Sequence, residues 1–78
     1  MQTPIRLPDL GVAPVTLSVW YAELGEFVHK GDRVVEVLLG SATFDVSAPA
    51  SGWLSECCAR INERVGPGTV LGMLEVLE

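Results

Sequence analysis

A shift of 37 residues lays this chain on itself. Leu17 then falls on Leu54, Ser18 on Ser55, Ala22 on Ala59, Glu26 on Glu63, Val28 on Val65 and Gly31 on Gly68. Leu24/Ile61, Val34/Leu71 and Val37/Leu74 are conservative pairs in the same register. Gly25/Asn62 matches two residue types that tolerate left-handed backbone. That turn residues coincide as well as apolar ones argues against a chance alignment of an apolar chain. Half of a 78-residue chain cannot bury a hydrophobic face alone. Two similar halves are therefore expected to pack on each other about a pseudo-twofold axis, as one domain spanning residues 1–78.

The halves are built from strands. Prolines at 4, 8, 14, 49 and 67 and glycines at 11, 25, 31, 40, 52, 66, 68 and 72 cut the chain into pieces too short for ordinary helices. Between them, 16–22, 33–39, 43–48, 53–59 and 70–76 are rich in Val, Leu, Phe and Trp and are bounded by turn residues. An all-β sandwich or barrel is predicted. Val35, Val37 and Leu39 alternate with Glu36 and Leu38, which assigns the first set inward. From Leu17 to Ala22 both faces are apolar, which predicts a bulge or a strand covered on both sides.

Composition removes several function classes. Ten acidic and five scattered basic residues give a net charge of −5, with no basic stripe for nucleic acid. The N-terminal residues form neither a charged leader nor a long apolar run, so no membrane span is expected. Cys57 and Cys58 are adjacent, which disfavours a mutual disulfide in a strand, and with His29 they make no metal-ligand pattern. Both are expected to be small core residues in a reducing compartment.

Pro8-Asp9-Leu10-Gly11, Trp20, Leu24-Gly25-Glu26-Phe27-Val28, Gly31-Asp32, Ala42-Thr43-Phe44-Asp45-Val46 and Ala48-Pro49-Ala50-Ser51-Gly52 occur in the order and spacing of a known pattern. Val65, Gly68-Thr69-Val70-Leu71 and Glu75 continue it. The chain resembles, over essentially its whole length, the lipoyl domain of 2-oxo acid dehydrogenase acyltransferase components. That resemblance implies a flattened barrel-sandwich of two four-stranded antiparallel sheets, in agreement with the repeat. It also implies protein partners among the components of such a complex, and a location in the cytoplasm, or in the mitochondrial matrix of a eukaryote. Biotinyl domains share the fold, but their lysine between methionines has no counterpart in Leu39-Gly40-Ser41-Ala42.

The resemblance also exposes a departure. The family's attachment turn reads Glu-Thr-Asp-Lys-Ala, and the flanking match puts Leu38, Leu39, Gly40, Ser41 and Ala42 on those positions. Ser41 thus stands where the family's lipoyl-lysine stands. The family's arm is an amide on a lysine amine, which a serine hydroxyl cannot supply. Ser41 is therefore expected to be unmodified, with no cofactor on this chain, and the domain to act as an interaction or structural module. The alternative is a working lipoyl carrier whose acceptor is altered here or relocated to Lys30, the single lysine.

No catalytic site is expected. A nucleophile elbow around Ser41 would need glycine where Thr43 sits, and one histidine in a charged loop makes no triad. Nor does the chain hold the acyltransferase core with its histidine-centred site. Trp20 and Trp53 are read as packing residues, either of which could serve as a contact. Leu38, with the parity of Glu36, is expected to face outward and give an uncharged tip with Leu39, Gly40, Ser41 and Ala42.

Overall fold

The computed structural model describes residues 1–12 and 14–77; Ala13 and Glu78, inside the single domain expected over 1–78, lie outside the described residues. Eight strands follow in order: β1 (Gln2–Arg6), β2 (Val15–Trp20), β3 (Phe27–Val28), β4 (Arg33–Leu39), β5 (Ala42–Ser47), β6 (Gly52–Cys57), β7 (Arg64–Val65) and β8 (Val70–Glu75). They form two four-stranded antiparallel sheets, β1-β8-β6-β3 and β5-β4-β2-β7. The body measures 37 × 19 × 19 Å. No helix among the described residues is long and apolar enough to cross a membrane.

The repeat governs this architecture down to single hydrogen bonds. β2 and β4 occupy in one sheet the places of β6 and β8 in the other, the short strands β7 and β3 correspond at one edge of each sheet, and β5 takes the place of β1 at the other. Tyr21 N–H donates to Val34 O and Cys58 N–H to Leu71 O, each at 2.8 Å. Gly25 donates to Leu54 O at 2.8 Å, and its mate Asn62 donates to Leu17 O at 2.7 Å. Both donors have left-handed backbone, with φ of 87° and 73°, so the tolerance shared by glycine and asparagine is used in each half.

The apolar ambiguity of Leu17 to Ala22 resolves as a bulge. Pairing of β2 with β4 skips Ser18, and pairing of β6 with β8 skips its mate Ser55. Val34 and Leu71 are skipped in the same matched way. Each bulge adds a residue to one strand and increases local twist, which curves the sheets around their contents. Those contents are matched pairs: Leu17/Leu54, Ala22/Ala59, Val28/Val65, Val34/Leu71 and Val37/Leu74 are all buried, together with Ile5, Leu7, Val46 and Ala48. Glycines break the match at two places, Val15/Gly52 and Val35/Gly72. Val35 is buried, but its mate Gly72 leaves room for the Trp20 ring, whose Cη2 would lie 2.9 Å from a Cβ added there.

Three strands escaped the sequence reading. β3 and β7 have two residues each, too few for a periodicity, and β1 carries Pro4, a strand-breaking signal tolerated here because β1 is a sheet edge. The expected core role of the cysteines is overturned. Both are exposed and free, because Cys57 ends β6 and Cys58 lies just past it. Burial and the neighbouring Cys58 nevertheless hold the Cys57 thiol above its ordinary pKa.

Candidate functional site

The β4–β5 hairpin presents the candidate site on a two-residue turn. Leu39 pairs with Ala42, leaving only Gly40 and Ser41 as the connection. Gly40 has φ of +64° and Ser41 lies outside the left-handed region, which is the φ pattern of a type II′ turn with glycine first. Such turns match the right-handed twist of their strands, so the short loop needs no further support. Gly40, Ser41 and Ala42 are all exposed.

The alternation of β4 sorts the two leucines. Leu38 pairs with Thr43 and Thr16 on the outer face and is 39% exposed. Leu39 turns inward and packs, half-buried, on the core. The uncharged tip is therefore one exposed leucine beside Gly40, Ser41 and Ala42. Charge begins immediately below it. Tyr21 Oη donates to Glu36 Oε2 at 2.9 Å, the Arg33 guanidinium lies 4.5 Å from the Tyr21 ring centroid, and Arg33 Nη1 is 3.7 Å from Asp45 Oδ2. The bond to Glu36, then burial and the Asp45 and Glu36 charges, push the Tyr21 phenol above its ordinary value, against Arg33.

Lys30 is remote from the turn. It lies in the loop between β3 and β4, where Gly31 N–H donates to Ala48 O. That is the open end of the same hairpin, closed by the Arg33–Ser47 pair. The seven residues of β4 separate it from the tip, a span of about 20 Å at about 3.3 Å per residue. His29 stays in the same loop, with Nδ1 3.6 Å from Asp32 Oδ2. The described residues form no pocket and no cluster of three metal-ligating side chains.

The two tryptophans part company. Trp20 is half-buried against the core and its indole N–H donates to Ala59 O at 3.0 Å. Trp53 faces outward, 38% exposed, edge-on to Phe27 at 5.0 Å between centroids, and Phe27 meets His29 at 5.1 Å. This aromatic group was missed in the sequence because β3 is so short. The parity of Trp53, opposite to buried Leu54, was the available signal.

A duplicated barrel-sandwich with one exposed two-residue turn defines the structural class: a small scaffold that displays a hairpin tip. The biotin/lipoyl family, whose description is "Biotin-requiring enzyme", matches residues 3–74, and the chain belongs to that family. It is 35% identical over 77 residues to the dihydrolipoyllysine-residue succinyltransferase component of the 2-oxoglutarate dehydrogenase complex of Bartonella vinsonii subsp. berkhoffii. It is 27% identical over 75 residues to the dihydrolipoyllysine-residue acetyltransferase component of the pyruvate dehydrogenase complex of Haemophilus influenzae. Each match takes in 96% of this chain but only 19% and 13% of the relative. Among solved structures, the lipoyl domain of the Azotobacter vinelandii 2-oxoglutarate dehydrogenase complex superposes with a TM-score of 0.71 at 22% identity, covering 97% of this chain and 96% of that one. A single-chain, multi-domain long-chain acyl-CoA carboxylase superposes at 0.81 and 15% identity, over 99% of this chain and 7% of that one. At these identities the two structures establish the shared fold.

Proposed function

We propose that this chain is a lipoyl-type domain that carries no lipoyl group and works as a protein-interaction or structural module in an assembly related to 2-oxo acid dehydrogenase complexes. The observation that carries the reading is Ser41 on the exposed β4–β5 turn. A swinging arm of the family's kind requires a primary amine there, and the turn offers a hydroxyl. The residues present do not fit lipoate as an amide. The single lysine stands at the far end of the hairpin, away from the turn on which the family's arm would be mounted. Partner proteins of the complex are proposed from the relatives, which are components of such complexes.

Coexpression with a lipoate ligase followed by intact-mass measurement tests this. The unaltered chain is expected to show no lipoyl increment, and finding one overturns the proposal. The combined replacement Leu38→Glu, Leu39→Thr, Gly40→Asp and Ser41→Lys is expected to gain the increment. A folded but unmodified replacement would place the loss beyond these four residues.

A further inference from the structure

The outer faces of the two sheets occupy equivalent places in the fold but differ in chemistry. Phe27, Trp53 and Glu75 form one cross-strand row over β3, β6 and β8. Their mates in the other sheet are Arg64, Thr16 and Leu38. The scaffold thus accommodates non-aromatic residues at both ring positions. Phe27 and Trp53 are nevertheless 41% and 38% exposed, and their T-shaped contact fixes both rings on the surface. Carboxylates border them. Glu26 precedes Phe27, and Glu75, next in the row, is already held by the N-terminal ammonium at 2.8 Å and by Gln2 Nε2 at 3.2 Å, whereas Glu56, at the next outward place on β6, has no ion-pair partner among the described residues.

We propose that the outer face of β3, β6 and β8 docks a basic protein segment, with a lysine or arginine stacked on the Phe27–Trp53 rings and its charge facing the unpaired Glu56. A cation over an aromatic face is attracted by the ring quadrupole, and nearby carboxylates add to that attraction. The choice of occupant follows from charge. A second copy would bring another net charge of −5 to an acidic surface, and an anionic lipid or nucleic acid would be repelled in the same way. The site does not depend on the state of Ser41, which lies on the other sheet.

The test is titration of the isotopically labelled 78-residue chain with an alternating Lys-Gly peptide, followed by amide and indole NMR shifts, with a Glu-Gly peptide as control. The Lys-Gly peptide is expected to move the Trp53 indole and neighbouring amides of β3, β6 and β8, and the Glu-Gly peptide to move neither. Trp53→Thr, which installs the residue found at the equivalent Thr16 position, is expected to weaken binding about two- to fivefold, as loss of an exposed cation–π contact implies. Glu56→Gln, an exposed change outside the core, is expected to weaken it while leaving the remaining spectrum in place, and it keeps the proposal testable if Trp53→Thr fails to fold. Shifts spread over both sheets, equal response to the acidic peptide, or unchanged affinity in Glu56→Gln would overturn the proposal. So would self-association of the free chain through this face.

Discussion

The two halves of the molecule, related by the 37-residue shift, agree in the core and the turns and disagree on the outer faces of the sheets. Bulges at Ser18 and Ser55, left-handed turns at Gly25 and Asn62, and buried Leu17 and Leu54 are duplicated. So is the exposed turn bond accepted by Glu26 and Glu63, but the outward places of the sheet faces are not. Phe27 answers to Arg64, Trp53 to Thr16, Glu36 to Met73, and no duplication preserves their chemistry. What both halves keep is what any strand pair needs to curve and close. What only one half has is free to serve recognition, and the Gly40–Ser41 turn and the Phe27–Trp53 pair both fall in that class.

The sharpest way to break this comparison is to damage the duplicated interior on each side in turn. Leu17 and Leu54 are 0% and 1% exposed, so Leu17→Ala and Leu54→Ala should each cost about 2–5 kcal/mol, combining lost burial with a cavity. Equivalence predicts that the two losses agree within about 1 kcal/mol in urea denaturation, within the spread such sites show. A much larger gap would mean that the halves share a pattern but divide the stability unequally.

Much of this interior was legible in the sequence because it rests on local chemistry repeated twice. Gly25 against Asn62 fitted left-handed turns in both halves, and the doubly apolar run from Leu17 left a bulge or a doubly covered strand, of which the structure has the bulge. β3 and β7 were illegible because two residues carry no period, and the cysteines were misread because type alone says nothing about where a strand ends. At the candidate site, the parity of β4 was enough to put Leu38 outward and Leu39 inward, as the structure has them. The chemistry assigned to Ser41 came from resemblance to a family motif, and periodicity alone would have given only a turn.

A smaller effect is expected where the interior itself departs from symmetry. The cross-strand pair Trp20–Val35 corresponds to Cys57–Gly72, and the Trp20 ring reaches into the space above Gly72. A Cβ at Gly72 would also lie 2.6 Å from Glu56 O, which is backbone and cannot swing aside. Gly72→Val, which restores the formal repeat, should therefore destabilise the chain by about 1–3 kcal/mol through overpacking. Thermal unfolding checks this, and an unchanged or raised midpoint would show that Trp20 is not the residue that replaces the missing side chain.

The finest distinction is electrostatic and belongs to the hairpin sheet alone. Tyr21 donates to Glu36, whereas the corresponding residues Cys58 and Met73 cannot form such a bond. The phenol is held above its ordinary value of 10.0 chiefly by that bond, then by burial and the Asp45 and Glu36 charges. A group whose pKa is raised on folding favours the folded state while it stays protonated. Its contribution is thus present below its unfolded pKa and is lost as pH rises through the higher folded value. Because the chain has one tyrosine, phenolate absorbance reports this group without overlap from another. The titration midpoint should lie above 10.0 in the folded chain and fall in Glu36→Gln, which removes the carboxylate that prefers a protonated neighbour. Tyr21→Phe should flatten the alkaline limb of the stability profile. A midpoint at or below the ordinary value would mean that Arg33 over the ring outweighs Glu36, leaving the region below the tip governed by its cation.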